Sequence, residues 1–288
     1  MARKHKLSGM NISTKVVAHY ERGGLVARLL ATLKTAGLES GPLSVAQLAP
    51  LDQFHSRGLA ATVEMAKRLN PPPASKVIDI GSGVGGPSRY LAATYGCSVT
   101  GIDLSPAYVE AAIFLAHRTG LSDKVQYRVA DALALPFDDG TFDIGWSQHV
   151  AMNIANRSKL YAEAHRVLRQ GGTLAIYDVL AGDGTLHFPV PWAPSPESSF
   201  LLDPAEMRIT LESQGFHIAS WIDRTAAAID WFAELQSKLS TAGVAPPPGS
   251  SLGLHVIMGP EFKVMAANLQ RNLMEGRAVV VELLVTRV

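Results

Sequence analysis

The sequence predicts an α/β fold built on a mainly parallel sheet, and three observations carry that prediction. From Val77 onward, short apolar strands alternate with helical patterns, the mark of strand-helix-strand units. The stretch Val77-Ile78-Asp79-Ile80-Gly81-Ser82-Gly83-Val84-Gly85-Gly86 reads as a buried strand that enters a glycine turn and opens a helix. Hydrophobic residues make up 47% of the 288 positions, enough to fill a sizeable core.

The elements follow in order. Strand one is Lys76 to Ile80 and a helix covers Gly86 to Tyr95. Strand two is Ser98 to Ile102, ending in Asp103; Ser105-Pro106 then reads as an N-cap with proline at the first helical position, opening a helix to about Thr119. Strand three is Val125 to Val129, and strand four is Thr141 to Trp146. A helix spans Arg157 to Arg169, and Gly171-Gly172 turns into strand five, Thr173 to Asp178. Gly182 to Pro204, rich in Pro, Ser and Gly, reads as a surface excursion that suits a lid. Asp203-Pro204 caps a helix to Gln214, and a strand follows from Phe216 to Ile222. A second excursion, Thr225 to Gly276, holds amphipathic helices around Trp231-Phe232 and Phe262 to Met265, separated by Pro246-Pro247-Pro248-Gly249. The chain closes with a strand from Ala278 to Thr286.

Composition narrows the function. With 26 basic against 25 acidic residues the formal charge is +1, so no broad electrostatic footprint for nucleic acid or a membrane surface exists. Small-molecule chemistry is favoured. The single cysteine, Cys97, has no internal disulfide partner, and no long apolar run points to export or membrane insertion, so the expected compartment is the cytoplasm. The basic start, Met1 to Lys6, reads as a solvated tail. The expected partner is a small-molecule acceptor, with no nucleic acid and no membrane; a homodimer is left open.

The glycine turn marks a nucleotide-cofactor site, because glycines let the backbone approach a ligand and the following helix presents unpaired amides. Asp79 stands two residues before the first glycine, and Ile80 to Ser88 carries no Lys or Arg. A pyrophosphate is poorly served by that surrounding, whereas a cationic cofactor such as S-adenosylmethionine is well served. Taken alone, Gly81, Gly83 and Gly86 also satisfy G-x-G-x-x-G, with Asp103 twenty-two residues after Gly81, which keeps an NAD-type oxidoreductase as an alternative.

These elements together resemble the class I S-adenosylmethionine-dependent methyltransferases over roughly residues 40 to 288. The family's D-x-G-x-G-x-G is matched by Asp79, Gly81, Gly83 and Gly85; its strand-two acid by Asp103, followed by Leu104; and its acid after strand three by Asp131-Ala132. Leu135-Pro136-Phe137-Asp138-Asp139-Gly140-Thr141-Phe142-Asp143 is similar to the small-molecule branch, and Arg166 to Gly172 to the family's turn into strand five. Within that branch, Gly85 to Leu91 and Leu51 to Thr62 resemble sarcosine/dimethylglycine N-methyltransferases and tocopherol-type C-methyltransferases. The resemblance implies a Rossmann-like sheet of seven strands, mostly parallel with an antiparallel last strand. It implies an N-terminal helical segment, residues 1–70, over the cofactor, and a core from 71 to 288 with cap insertions at about 182–203 and 225–276. It implies that Asp79, Gly81, Ser82 and Gly83 surround the methionine part of S-adenosyl-L-methionine. It assigns Asp103 with Leu104 to the ribose, Asp131 and Ala132 to the adenine, and Gln148 to the methionine end. The implied activity is methyl transfer to a nitrogen, oxygen or carbon of a small organic acceptor. A catalytically silent module that binds the same cofactor is the alternative from another class.

Trp146-Ser147-Gln148-His149 follows strand four and is expected at the cleft, where His149 is the first candidate for a general base and His55 the second. Packing or capping is the competing role for each. The other histidines show no paired ligand spacing with Cys or Asp, so no metal is expected. Phe188, Trp192, Trp231 and Phe232 are candidates for an acceptor pocket, with core packing as their competing role.

Overall fold

The computed structural model describes residues 24–241, 252–259 and 261–288; the basic start and the proline triplet at 246–248 lie outside the described residues. Three helices precede the sheet: α1 (Leu25–Thr35), α2 (Val45–Asp52) and α3 (Leu59–Leu69). Ser44 starts α2 with a capping box: its Oγ accepts from the Gln47 amide at 3.2 Å while Gln47 Oε1 accepts from the Ser44 amide at 2.8 Å. The order continues with β1 (Lys76–Ile80), α4 (Gly86–Tyr95), β2 (Ser98–Asp103), α5 (Pro106–Arg118), β3 (Val125–Val129) and β4 (Phe142–Gln148). Then come α6 (Arg157–Val167), β5 (Leu168–Ala181), α7 (Pro204–Ser213), β6 (Phe216–Asp223), α8 (Thr225–Thr241), α9 (His255–Met258), α10 (Phe262–Met274) and β7 (Ala278–Arg287). Ser105 caps α5 by accepting from the Tyr108 amide, with Pro106 behind it, as the sequence predicts.

The seven strands form one Rossmann-like sheet in the order β3-β2-β1-β4-β5-β7-β6. Strands β1 to β5 run parallel, and β7 lies antiparallel between β5 and β6. Because β1 pairs with β2 on one side and β4 on the other, the chain leaves it in opposite directions, which opens a crevice at the strands' carboxyl ends. Alternation along the strands supplies both cores. Val77, Val99, Tyr127, Trp146 and Tyr177 face α3, α4 and α5, while Ile78, Ile80, Ile102, Leu174 and Ile176 face α6 and α7. A third cluster joins α1 and α2 to α5 and to Ile257 of α9, which roofs the crevice end of the domain with helices.

Three expectations need correction. Strand four runs through Gln148 rather than stopping at Trp146, because its parallel pairing with β5 continues to Gln148 opposite Tyr177. The helix expected to reach Arg169 ends at Val167 and β5 starts at Leu168, where Leu168 pairs with Phe142. The excursion from Gly182 is not confined to the surface: Val190, Trp192 and Ala193 are buried. Burial is possible because its polar groups are satisfied. Val190 and Ala193 bond each other's backbone, Trp192 Nε1 donates to Ser199 Oγ at 2.9 Å, and Asn268 and Asn272 of α10 donate to the carbonyls of Pro189 and His187. The candidate aromatics Phe188, Trp231 and Phe232 pack against this core, leaving Trp192 as the one of the four that reaches the cavity described below.

Candidate active site

The glycine turn is held to β2 by its own amides: Gly81 and Ser82 both donate to the Ile102 carbonyl, at 2.8 and 2.9 Å. Gly81 sits at φ 71°, and a Cβ there would overlap the Val150 side chain, so no other residue fits the turn. Gly86 serves a different need, since a Cβ on it would strike the Asp52 carbonyl of α2. The turn therefore lies directly beneath the N-terminal segment.

Asp79 is buried at the end of β1, and Ser88 Oγ of α4 donates to its Oδ2 at 2.5 Å. Burial pushes its pKa up to about 7, against the lowering effect of the Ser88 hydrogen bond, with Asp103's charge adding to the rise. Asp103 closes β2 and braces two loops: Oδ2 accepts from the Gly83 amide at 3.0 Å and Oδ1 from the Ser105 amide at 2.9 Å. Burial raises its pKa to about 6 although both amides favour the charged form. Each oxygen keeps a lone pair for a ligand hydroxyl. Asp131 accepts from the Leu133 amide at 2.9 Å, which turns Ala132 and Leu133 toward the cavity.

Gln148 is oriented by its neighbours. Its Oε1 accepts from Trp146 Nε1 at 2.9 Å and from the Thr62 hydroxyl at 3.1 Å, so the amide nitrogen faces the other way. That buried nitrogen, like the Ser82 hydroxyl, has no hydrogen-bond partner among the described residues. Two orphaned donors at the same cavity are a fit for a ligand rich in carboxylate or hydroxyl oxygen.

One pairing escaped the sequence reading. The turn from Ile80 to Ser88 has no cation, yet Arg89 directly after it folds back beneath the turn: Nη1 donates to the Val84 carbonyl and Nη2 to Asp52 Oδ2, each at 2.7 Å. Both side chains are fully buried. Desolvation raises the Asp52 pKa to about 6 even with Arg89 pulling it down. The acid from α2 neutralises the cation, so the cavity side of the turn stays without positive charge.

His149, immediately after β4, has φ 53°, a left-handed conformation uncommon for a side-chain-bearing residue. Its amide donates to the Tyr177 carbonyl at 2.8 Å, and its ring stacks on the Tyr177 ring with centroids 5.6 Å apart and planes 13° apart. Its Nε2 lies 3.3 Å from Ser56 Oγ. His55 stands edge-on to both rings, and its Nε2 donates to the Gly58 carbonyl at 2.9 Å, closing the turn before α3. Burial lowers the pKa of His55 to about 4 and that of His149 well below its ordinary value, the latter also opposed by charge on His55. Both rings are therefore neutral near pH 7, and Nε2 of His55 is committed to a carbonyl while His149 borders the cavity.

A single cavity of about 320 Å³ joins these groups. Asp79, Gly81, Ser82, Gly83, Asp103, Leu104, Asp131, Ala132, Gln148, His149 and His55 all line it. Sequence reasoning missed Met152, Ile154, Pro191 and Met258, which also line it; isolated apolar residues carry no motif. Among the described residues, no cluster of His, Cys, Asp and Glu is arranged to hold a metal, and no helix is long and apolar enough to cross a membrane.

Residues 78–176 match a family model described as a methyltransferase domain. Over that stretch the chain is similar to a methyltransferase domain. Over 100 residues it is 44% identical to a probable chloroplastic tocopherol O-methyltransferase of Oryza sativa subsp. japonica, covering 35% of this chain and 28% of that protein. It is 31% identical over 166 residues to a sarcosine/dimethylglycine N-methyltransferase of Halorhodospira halochloris, covering 58% and 54%. The chain thus spans about a quarter to a half of the length of the curated relatives it matches. A geranyl diphosphate C-methyltransferase from Streptomyces coelicolor A3(2) has the same fold, with a TM-score of 0.70 over 97% of this chain and 99% of that one at 18% identity. The matched stretch of the methyltransferase domain contains the glycine turn, Asp103, Asp131, Gln148 and His149, and excludes His55, Trp192 and Met258. The domain's shared part is the strand-end half of the cavity; the rest of the wall is supplied from outside it.

Proposed function

We propose that this protein transfers a methyl group from S-adenosyl-L-methionine to a nitrogen, oxygen or carbon of a small organic molecule. The observation that carries the reading is the line of acids Asp79, Asp103 and Asp131 at the carboxyl ends of β1, β2 and β3, inside the methyltransferase domain and facing one cavity. Among the described residues, no Lys or Arg lines that cavity, so a cationic cofactor is matched and a pyrophosphate is not. Asp79, Gly81, Ser82 and Gly83 hold the methionine part, with the Gln148 amide nitrogen at its end; Asp103 and Leu104 take the ribose, and Asp131 and Ala132 the adenine. Of the described residues, those from 24 to 70 form the segment over the cofactor, and those from 71 onward the core with its two insertions. The near-neutral charge and single cysteine favour a cytoplasmic protein.

When bound, the cofactor supplies an electrophilic methyl group whose displacement releases a neutral sulfide. The protein's share is alignment and proton handling. Tyr177 and Ser56 hold the His149 ring in place, and burial keeps it neutral and able to accept a proton. Titration calorimetry with S-adenosylhomocysteine and with NADH tests the reading: binding of the first and not the second is expected, and binding of NADH alone overturns it.

A further inference from the structure

The cavity has two chemically different ends. All four acids that line it, Asp52, Asp79, Asp103 and Asp131, belong to the half built on α2 and on β1 to β3. The other half, around the end of β4, is walled by Met152, Ile154, Pro191 and Trp192, and its polar side chains, His55, Gln148, His149, Asn153 and Asn156, are all uncharged types or neutral histidines. Among the described residues, this half presents no Lys, Arg, Asp or Glu. An anionic acceptor would enter without a counterion and face fixed carboxylates across the cavity; an ammonium would lose its hydration with no acid beside it.

Resting on the methyltransferase reading above, we infer that the acceptor is an uncharged, mainly apolar molecule that presents a hydroxyl group to His149. The hydroxyl is the acceptor chemistry that a neutral imidazole serves directly, and the low pKa direction of both buried histidines agrees with a dry, uncharged pocket. In the transfer, the acceptor's O–H bond breaks with its proton passing to the His149 imidazole, and an O–CH3 bond forms. The S–CH3 bond breaks with its electron pair on sulfur, leaving S-adenosylhomocysteine and an ether; His149 then returns the proton to solvent. No oxidant or reductant is needed.

Binding of four matched probes to the full chain, with and without S-adenosylhomocysteine, tests the inference by calorimetry. 4-Octylphenol is expected to bind at least about tenfold more tightly than 4-octylphenyl phosphate and 4-octylbenzylamine. Octylbenzene, lacking the hydroxyl, is expected to bind about threefold to tenfold more weakly than the phenol. A charged probe that binds as tightly as the phenol, or a phenol that does not bind, overturns the uncharged acceptor; octylbenzene binding equal to the phenol overturns the hydroxyl. Should S-adenosylhomocysteine itself fail to bind, the methyltransferase reading falls, while the probe ranking on the chain alone still decides the acceptor's charge.

Discussion

Ser56 Oγ meets His149 Nε2 at 3.3 Å across 93 residues of chain, joining the segment before the sheet to the end of β4. The same hydroxyl lies 3.4 Å from the Tyr177 hydroxyl, so one serine bridges the stacked pair that carries the candidate base. The contact ties the His149 ring to that segment.

His149→Ala is expected to lower turnover of an acceptor that must lose a proton by about 10²- to 10⁴-fold while leaving S-adenosylhomocysteine affinity nearly unchanged. Ser56→Ala should cost far less, because it loosens the ring without removing it. Steady-state kinetics with labelled methyl donor separates the two; full activity in His149→Ala removes it as the base.

The acid limb of kcat at saturating cofactor should lie below pH 6.5, since burial and charge on His55 hold His149 neutral below the ordinary histidine range. A limb centred above 6.5 contradicts the burial argument.

Cofactor binding should take a different pH dependence. Asp79 at about 7 and Asp103 at about 6 are partly protonated near neutrality, and a bound cation favours their charged forms. S-adenosylmethionine binding should therefore release protons between pH 6 and 7 and weaken as pH falls through that window. Calorimetry in buffers of different ionisation enthalpy reads the protons directly, and Asp79→Asn should reduce their number.

Stability follows the opposite sign. Because the folded pKa of Asp79 is raised above its unfolded value, its contribution is fully present near pH 4 and is lost as pH rises toward 7. Asp79→Asn should accordingly gain stability relative to the parent chain across that range, by up to about 4 kcal/mol, in urea titrations at several pH values.

Asp52→Ala leaves the Arg89 guanidinium buried and unpaired, and should destabilise the fold by about 3–5 kcal/mol. Replacing both together, as Asp52→Leu with Arg89→Met, should restore much of the loss. An additive double variant in denaturant titrations would mean that the pair is not coupled.

The strand-helix alternation, the glycine turn and the acids at strand ends were readable because each is local: a few consecutive residues set the backbone path, and Asp79, Asp103 and Asp131 fall at fixed places along it. The reach of β4 to Gln148 was not readable, since it depends on pairing with β5. Nor was burial of Val190 and Trp192, which requires Asn268 and Asn272 of a distant helix to satisfy the loop's carbonyls. The cation-free turn was real in sequence, but Arg89 just beyond it returns beneath the turn to meet Asp52.

The chain by itself determined a parallel α/β sheet, a nucleotide-type turn at Gly81 to Gly86 and the acids around it, because period-two apolar strands and glycine turns act within a few residues. Only the tertiary structure decided that Ser56, Tyr177 and His149 converge, that both cavity histidines are neutral, and that Met152 and Trp192 wall an uncharged half of the cavity. Those are contacts and desolvation, which exist once segments far apart in the chain pack together and exclude water.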